Sequence, residues 1–356
     1  MKRTEWTGVR APWVLAVGTV AVFIAGIGCG GGGGTSTSPT PASPSGELVL
    51  ATSSLDGTVS FISTRQDAVI ATVPVGIGAK DVTFSADGRK AYVGNYDLNE
   101  VVVLDIAGRT VTKTIPVGTR PRWLRITPDG QFLYVSNEGS AEVSVISTTT
   151  DAVTATVPVP GAPPTIGAIA FDPKANVFYV GGAFGGSFCG DCIHVFGYPS
   201  NAHLGTISGI IGGGHGNLQV APDGTLVVTN FCGCCGNIQW VQSNMVVGTH
   251  LFGGGGNALA LDPAGDFAYA DTGPCSPNGR LHGLEEFRMS DRTLTRTLHL
   301  GPRYQSGALA ISPDGQFIYV ATTTKTESVL KVRRSDLTVV ATIGTGSDVQ
   351  NLAVSP

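Results

Sequence analysis

The sequence predicts an all-β chain folded as a seven-bladed β-propeller, closed by a blade that draws strands from both ends of the chain. Three observations predict it. A short β-branched and aromatic run returns at near-regular intervals, a turn signal precedes nearly every copy, and the two termini carry complementary parts of one unit.

The runs are LVLAT at Leu48, AYVGN at Ala91, LYVSN at Leu133, FYVGG at Phe178, LVVTN at Leu226, AYADT at Ala268 and IYVAT at Ile318. All but the first follow SADG, TPDG, DPKAN, APDG, DPAG or SPDG, which read as tight turns. The residues just before these turns, with the last residue of the chain, are Ala86, Pro128, Pro173, Pro222, Pro263, Pro313 and Pro356. They serve as anchors, spaced by 42, 45, 49, 41, 50 and 43 residues, the period of a four-stranded blade. Positions four and two before each anchor are apolar in all seven units, from Val82 and Phe84 to Leu352 and Val354, so one face of every innermost strand is apolar. Runs such as EVVVLDI and TVTKTIPVG supply a third and a fourth strand. The N-terminal region holds ELVLATS, TVSFIST and AVIATVPVG, while the C-terminus holds only VQNLAVSP, so the two together complete one blade. Closure of this kind pairs sheet edges that would otherwise invite aggregation. Residues 47–356 are therefore expected to form the propeller, with blade one as the closing blade.

The first 28 residues are not part of it. Lys2, Arg3 and Arg10 precede the uncharged run APWVLAVGTVAVFIAGIG, an export leader in pattern and marginal in length for a membrane span. Residues 29–46, rich in Gly, Ser, Thr and Pro, cannot bury a core and are expected to act as a flexible tether. The small residues running into Cys29 resemble the bacterial lipoprotein signal, with Gly26 where that family usually carries Leu. The resemblance implies lipid on Cys29, cleavage before it, and a place in the bacterial cell envelope, at the outer membrane or facing the periplasm. Several acyl chains anchor where one would not.

The chain holds 22 basic and 26 acidic residues. The leader accounts for three and one of these, leaving 19 against 25 and a net charge of −6. A mildly acidic domain without a basic run argues against a nucleic-acid partner.

The YVGN, YVSN and VVTN runs with their Asp-Gly turns resemble the YVTN-family β-propeller repeats, and the likeness spans nearly all of the expected mature chain. No Trp-Asp pair ends the third strands, so WD40 repeats fit less well. The resemblance implies a secreted or surface protein of bacteria or archaea. Related propellers include lactonase-like enzymes and haem-carrying reductase domains. The fold leaves function open, since function resides in sites grafted onto it.

Cys189, Cys232 and Cys275 are spaced by 43 and 43 residues, each shortly after the second strand of blades four, five and six. Cys192, Cys234 and Cys235 share those loops, so six cysteines are expected on one face of the ring. An even set in an exported chain reads as disulfide staples, with fifteen connectivities open and the adjacent Cys234 and Cys235 not bonded to each other. The alternative is a copper or zinc site in which His194, His215 and His282 join Cys232 and Cys235. Covalent haem is disfavoured, because CGDC is followed by Ile193 and not by His.

Residues entering the innermost strands are expected to line the channel mouth. They include Lys80, Asp81, Arg120, Arg122, Asn217, Asn257, Arg303, Gln305, Asp348, Gln350 and Asn351, with His215 nearby. Such a rim of amides and cations suits an anionic or sugar-like ligand, and is also what a solvated pore edge requires. No Gly-x-Ser-x-Gly elbow, phosphate-binding glycine loop or His-Glu-x-x-His is present. From sequence, the first reading is a monomeric, lipid-anchored, non-enzymatic scaffold, binding a protein, glycan or small molecule through a disulfide-stapled face without a cofactor. The second is a periplasmic enzyme, lactonase-like or a metal-dependent oxidoreductase, with its site at the channel mouth.

Overall fold

The computed structural model describes residues 47–160, 166–182, 193–210, 216–232, 235–252, 258–272, 283–300, 306–322, 328–346 and 348–356. Among these, the strands form seven four-stranded antiparallel sheets, and the chain is an all-β seven-bladed propeller. Blade one is built as expected from both ends. From the channel outward its strands are Asn351–Val354, Leu48–Ser53, Thr58–Ser63 and Ala68–Pro74. The register runs from Val49 opposite Val354 to Thr52 opposite Asn351, and the Ser355 amide donates to the Leu48 carbonyl at 2.9 Å. The innermost strands of blades two to seven are Ala79–Phe84, Pro121–Ile126, Ile166–Asp172, Leu218–Val220, Leu259–Leu261 and Ser306–Ile311.

Alternation along these strands sets the larger apolar side chains between blades. Val82 and Phe84 face into the cluster shared by blades one and two, with Leu50, Phe61, Val93 and Val102. Val49, Ile62, Tyr319 and Leu352 do the same between blades seven and one. Each large side chain buried this way contributes roughly 1.5–3 kcal/mol.

Three of the Asp-Gly turns share one build. In blade two the Ser85 hydroxyl donates to Asp87 Oδ1 at 2.6 Å, the Arg89 amide donates to the same oxygen at 3.1 Å, and Gly88 takes φ +67°. Ser312 with Asp314 and Thr127 with Asp129 repeat it at 2.5 Å each. Two tyrosines of the repeat act as bolts between blades. Tyr92 donates to Asp151 Oδ1 at 2.9 Å and Lys90 to Asp151 Oδ2 at 2.6 Å, tying blade two to blade three, while Tyr134 donates to Asn201 at 2.7 Å one blade further on. Burial pushes the Tyr134 hydroxyl up to about 12, so it stays a donor.

One glycine is tested by its surroundings. Gly57 turns the first hairpin of blade one at φ +63°, and a Cβ there would lie 2.5 Å from the Gly76 carbonyl carbon. Its carbonyl also accepts from the Val75 and Gly76 amides at 2.8 and 3.1 Å, so the chain has little room to move away. Gly57→Ala is expected to lower stability by about 1–3 kcal/mol, read from urea unfolding.

Candidate functional site at the channel

Aligned by anchor, the third position before each turn faces the channel. It carries Thr83, Arg125, Ala170, Gln219, Ala260, Ala310 and Ala353, all of which line a cavity of about 560 Å3. Two positions further up, Asp81, Asn217 and Asn351 line the same space. The wall is thus divided: polar groups come from blades one, two, three and five, while blades four, six and seven present alanine. The alanines make the cavity, because larger residues at those positions would fill it.

The polar half is a continuous chain of hydrogen bonds. Asp81 is 2% exposed and accepts from four directions: the Val82 amide at 2.8 Å, the Leu124 amide at 2.7 Å, Arg125 Nη1 at 3.2 Å and Asn351 Nδ2 at 2.6 Å. Burial pushes its carboxyl above the usual carboxylate range, against the pull of Arg125 and of the two amides. Arg125 continues the chain, donating from Nη2 to Asn217 Oδ1 at 3.2 Å. That bond runs from blade three to blade five, past Ala170 of blade four.

Above this lies the mouth. In blades two and three the register of the innermost strand slips between Ala79 and Asp81 and between Pro121 and Trp123. Lys80 and Arg122 are the extra residues at these two bulges, an arrangement that re-aims a side chain. Lys80 donates to Gln350 Oε1 at 3.1 Å, Gln350 donates to Asp348 Oδ2 at 2.8 Å, and Ser53 holds the other oxygen of Asp348 at 3.2 Å. Arg122 pairs with the buried Glu138 at 3.0 Å. The Lys80 ammonium is held below the usual lysine range, first by burial and then by the charge of Arg122, against the carboxylates of Asp97, Asp348 and Glu138. Arg120 is exposed, its guanidinium 5.7 Å from the centre of the Tyr96 ring.

Of the residues expected at the mouth, Lys80, Asp81, Arg122, Asn217, Asp348, Gln350 and Asn351 are thus joined by polar contacts or share the cavity wall. Asn257, Arg303, Gln305 and His215 lie outside the described residues. Arg125 was not among those expected, although the alignment of repeats could have shown it: it is the one charged residue in a column otherwise made of Ala, Thr and Gln.

The cysteine face is only partly described. Cys29, Cys189, Cys192, Cys234, Cys275 and His282 lie outside the described residues. Cys232 ends the second strand of blade five, Leu226–Cys232, and Cys235 begins the third, Cys235–Gln242. Among the described residues no three His, Cys, Asp or Glu gather as a metal site would require. His194 departs from the expectation that it serves the cysteine face. It is 3% exposed, and its Nδ1 lies 3.2 Å from Nε2 of His203 on the outermost strand of its own blade, with its ring 6.4 Å from that of Phe196. Burial, and then the proximity of His203, hold it below the usual histidine range. His203 is exposed, whereas His250, on the outermost strand of blade five, is half-buried with its ring 5.0 Å from that of Phe287.

Fold and channel define the class: a seven-bladed β-propeller with a half-polar, half-alanine bore. A family model described as lactonase, 7-bladed beta-propeller, matches residues 48–159, less than a third of the chain. Among solved structures, hydrazine synthase of Kuenenia stuttgartiensis is similar with a TM-score of 0.70 at 19% identity, over 85% of this chain and 98% of that one. A functionally unknown protein from Desulfotomaculum acetoxidans DSM 771 gives 0.68 at 15%, over 86% and 98%. Dihydro-heme d1 dehydrogenase NirN in complex with DHE gives 0.62 at 16%, over 86% and 74%. At such identities the likeness is one of fold alone. Comparison with curated proteins gives no match.

Proposed function

We propose that the protein is an exported, lipid-anchored enzyme of lactonase-like kind that opens a cyclic ester at the channel mouth. The observation that carries this reading is one of position. The segment matched by the lactonase family model contains Lys80, Asp81, Arg122, Arg125 and Glu138, the charged groups that gather where the innermost strands begin. The scaffold reading rested on the cysteine-bearing loops, and the comparisons lend it no such support.

Ring opening by water needs a base for the attacking molecule and a donor for the oxyanion. Lys80 supplies the base, since its lowered proton affinity leaves more free amine than an ordinary lysine has, and Gln350 fixes its position. Arg122, braced by Glu138, supplies the donor. Asp81 and Arg125 form the floor below them. Export rests on the basic start, the apolar run and the small residues before Cys29, which takes the lipid; the following tract spaces the propeller from the membrane.

The test is acid release from a panel of γ- and δ-lactones by the purified protein. Turnover is expected, and Lys80→Met should lower kcat by about 10²-fold or more. The pH profile gives an independent check. Activity should rise with pH as Lys80 loses its proton, and in Arg122→Gln the rising limb should move to higher pH, because removing a neighbouring positive charge lets Lys80 hold its proton longer. No turnover across the panel would remove the proposal.

A further inference from the structure

The second and third strands of blade five stay in unbroken register over seven opposed pairs, from Leu226 opposite Val241 to Cys232 opposite Cys235. Only two residues, Gly233 and Cys234, separate the last pair in sequence. Opposed residues of an antiparallel pair have Cα atoms about 4.5–5.5 Å apart, inside the range of about 4.4–6.8 Å that a disulfide spans. From this juxtaposition we infer that Cys232 and Cys235 form a disulfide with each other across the tip of the blade-five hairpin.

Six cysteines allow fifteen pairings; fixing this one leaves four cysteines and three pairings. Cys234 is then left to pair with Cys189, Cys192 or Cys275. The ring closed by the bridge is short, so its effect is local, at the ends of the second and third strands of blade five.

Oxidation balances by exchange. One thiolate attacks the disulfide of an oxidised dithiol protein of the export compartment and displaces one of its sulfurs as a thiolate. The second cysteine then attacks the mixed disulfide and releases the other. Two protons and two electrons leave the hairpin, and the exchange partner becomes a dithiol. This step rests on the exported location proposed above.

The experiment uses the full exported protein, labelled with one maleimide, then reduced and labelled with a second of different mass. Cys232 and Cys235 are both expected to carry the second label. In Cys232→Ser, one new free thiol is expected, at Cys235, and in Cys235→Ser one at Cys232. If either variant fails to fold, graded reduction of the native protein replaces it, with both residues expected to open together. A newly freed thiol at Cys189, Cys192, Cys234 or Cys275 overturns the pairing while leaving export intact. First label on all six cysteines overturns the pairing and the oxidising location together, and first label on Cys232 and Cys235 alone, with or without bound zinc, overturns the pairing only.

Discussion

Deletion of residues 348–356 is expected to abolish the folded propeller. These residues supply the whole innermost strand of blade one, and with it four opposed pairs against Leu48–Ser53. Leu352 and Val349 leave the cluster between blades seven and one, each with roughly 1.5–3 kcal/mol of burial. The Gln350 amide no longer caps the Thr52 carbonyl at 2.8 Å, and the Leu48 amide loses the Ser355 hydroxyl at 3.2 Å. Asp81 loses Asn351, and Lys80 loses Gln350. Against a total stability of about 5–15 kcal/mol, these losses leave nothing to hold the ring shut. The measurement is the thermal transition by near-ultraviolet circular dichroism beside the fraction recovered soluble. A truncated chain that still melted cooperatively near the full-length temperature would show that blade one stands without its inner strand.

The second large effect is expected at Asp81. Replacing it with Ala strips Arg125 of its counter-charge and leaves the Val82 and Leu124 amides without acceptors in a buried place. Each buried donor left without an acceptor costs about 1–3 kcal/mol, and Arg125, a quarter exposed, loses its counter-charge as well. Arg125 also holds Asn217 of blade five, so the loss is expected to couple across the channel. The double variant with Arg125→Ala should therefore lose less than the sum of the two single variants, since it leaves no orphaned charge. Denaturant unfolding of the four proteins gives the coupling directly. A single-variant loss below 1 kcal/mol, or strict additivity, would show that Asp81 is a solvated rim residue and not the keystone of the polar wall.

Much of this was legible in the sequence, for a physical reason. Blade count and the shared closing blade follow from periodicity, since each four-stranded unit must bury the same apolar face against its neighbour. The pattern from Val82 and Phe84 to Leu352 and Val354 records that demand seven times. Lys80, Arg122 and Gln350 could be placed at the mouth because strand starts meet water. Their partners could not. Whether Arg122 finds Glu138 or Asp348 depends on bulges that no periodicity reveals. Arg125 stands in the column between the apolar positions, which the apolar period itself does not mark. His194 was misplaced for a related reason. The start of a third strand beside Cys192 suggested a side chain turned toward the cysteine face, while on the strand Ile193–Gly197 it is buried against its own blade, beside His203.

The division of labour along the innermost strands has a consequence for how this molecule can change. Alanines 170, 260, 310 and 353 border the bore, while residues one step away, such as Leu309 and Leu352, carry the contacts between blades. Calibre and cohesion nonetheless share one short word: Ala170 and Ala260 border the passage and also sit in the contacts between blades. A descendant that recharged or narrowed its passage at an alanine could trade one guest molecule for another, with the larger leucines beside it still bearing most of the frame.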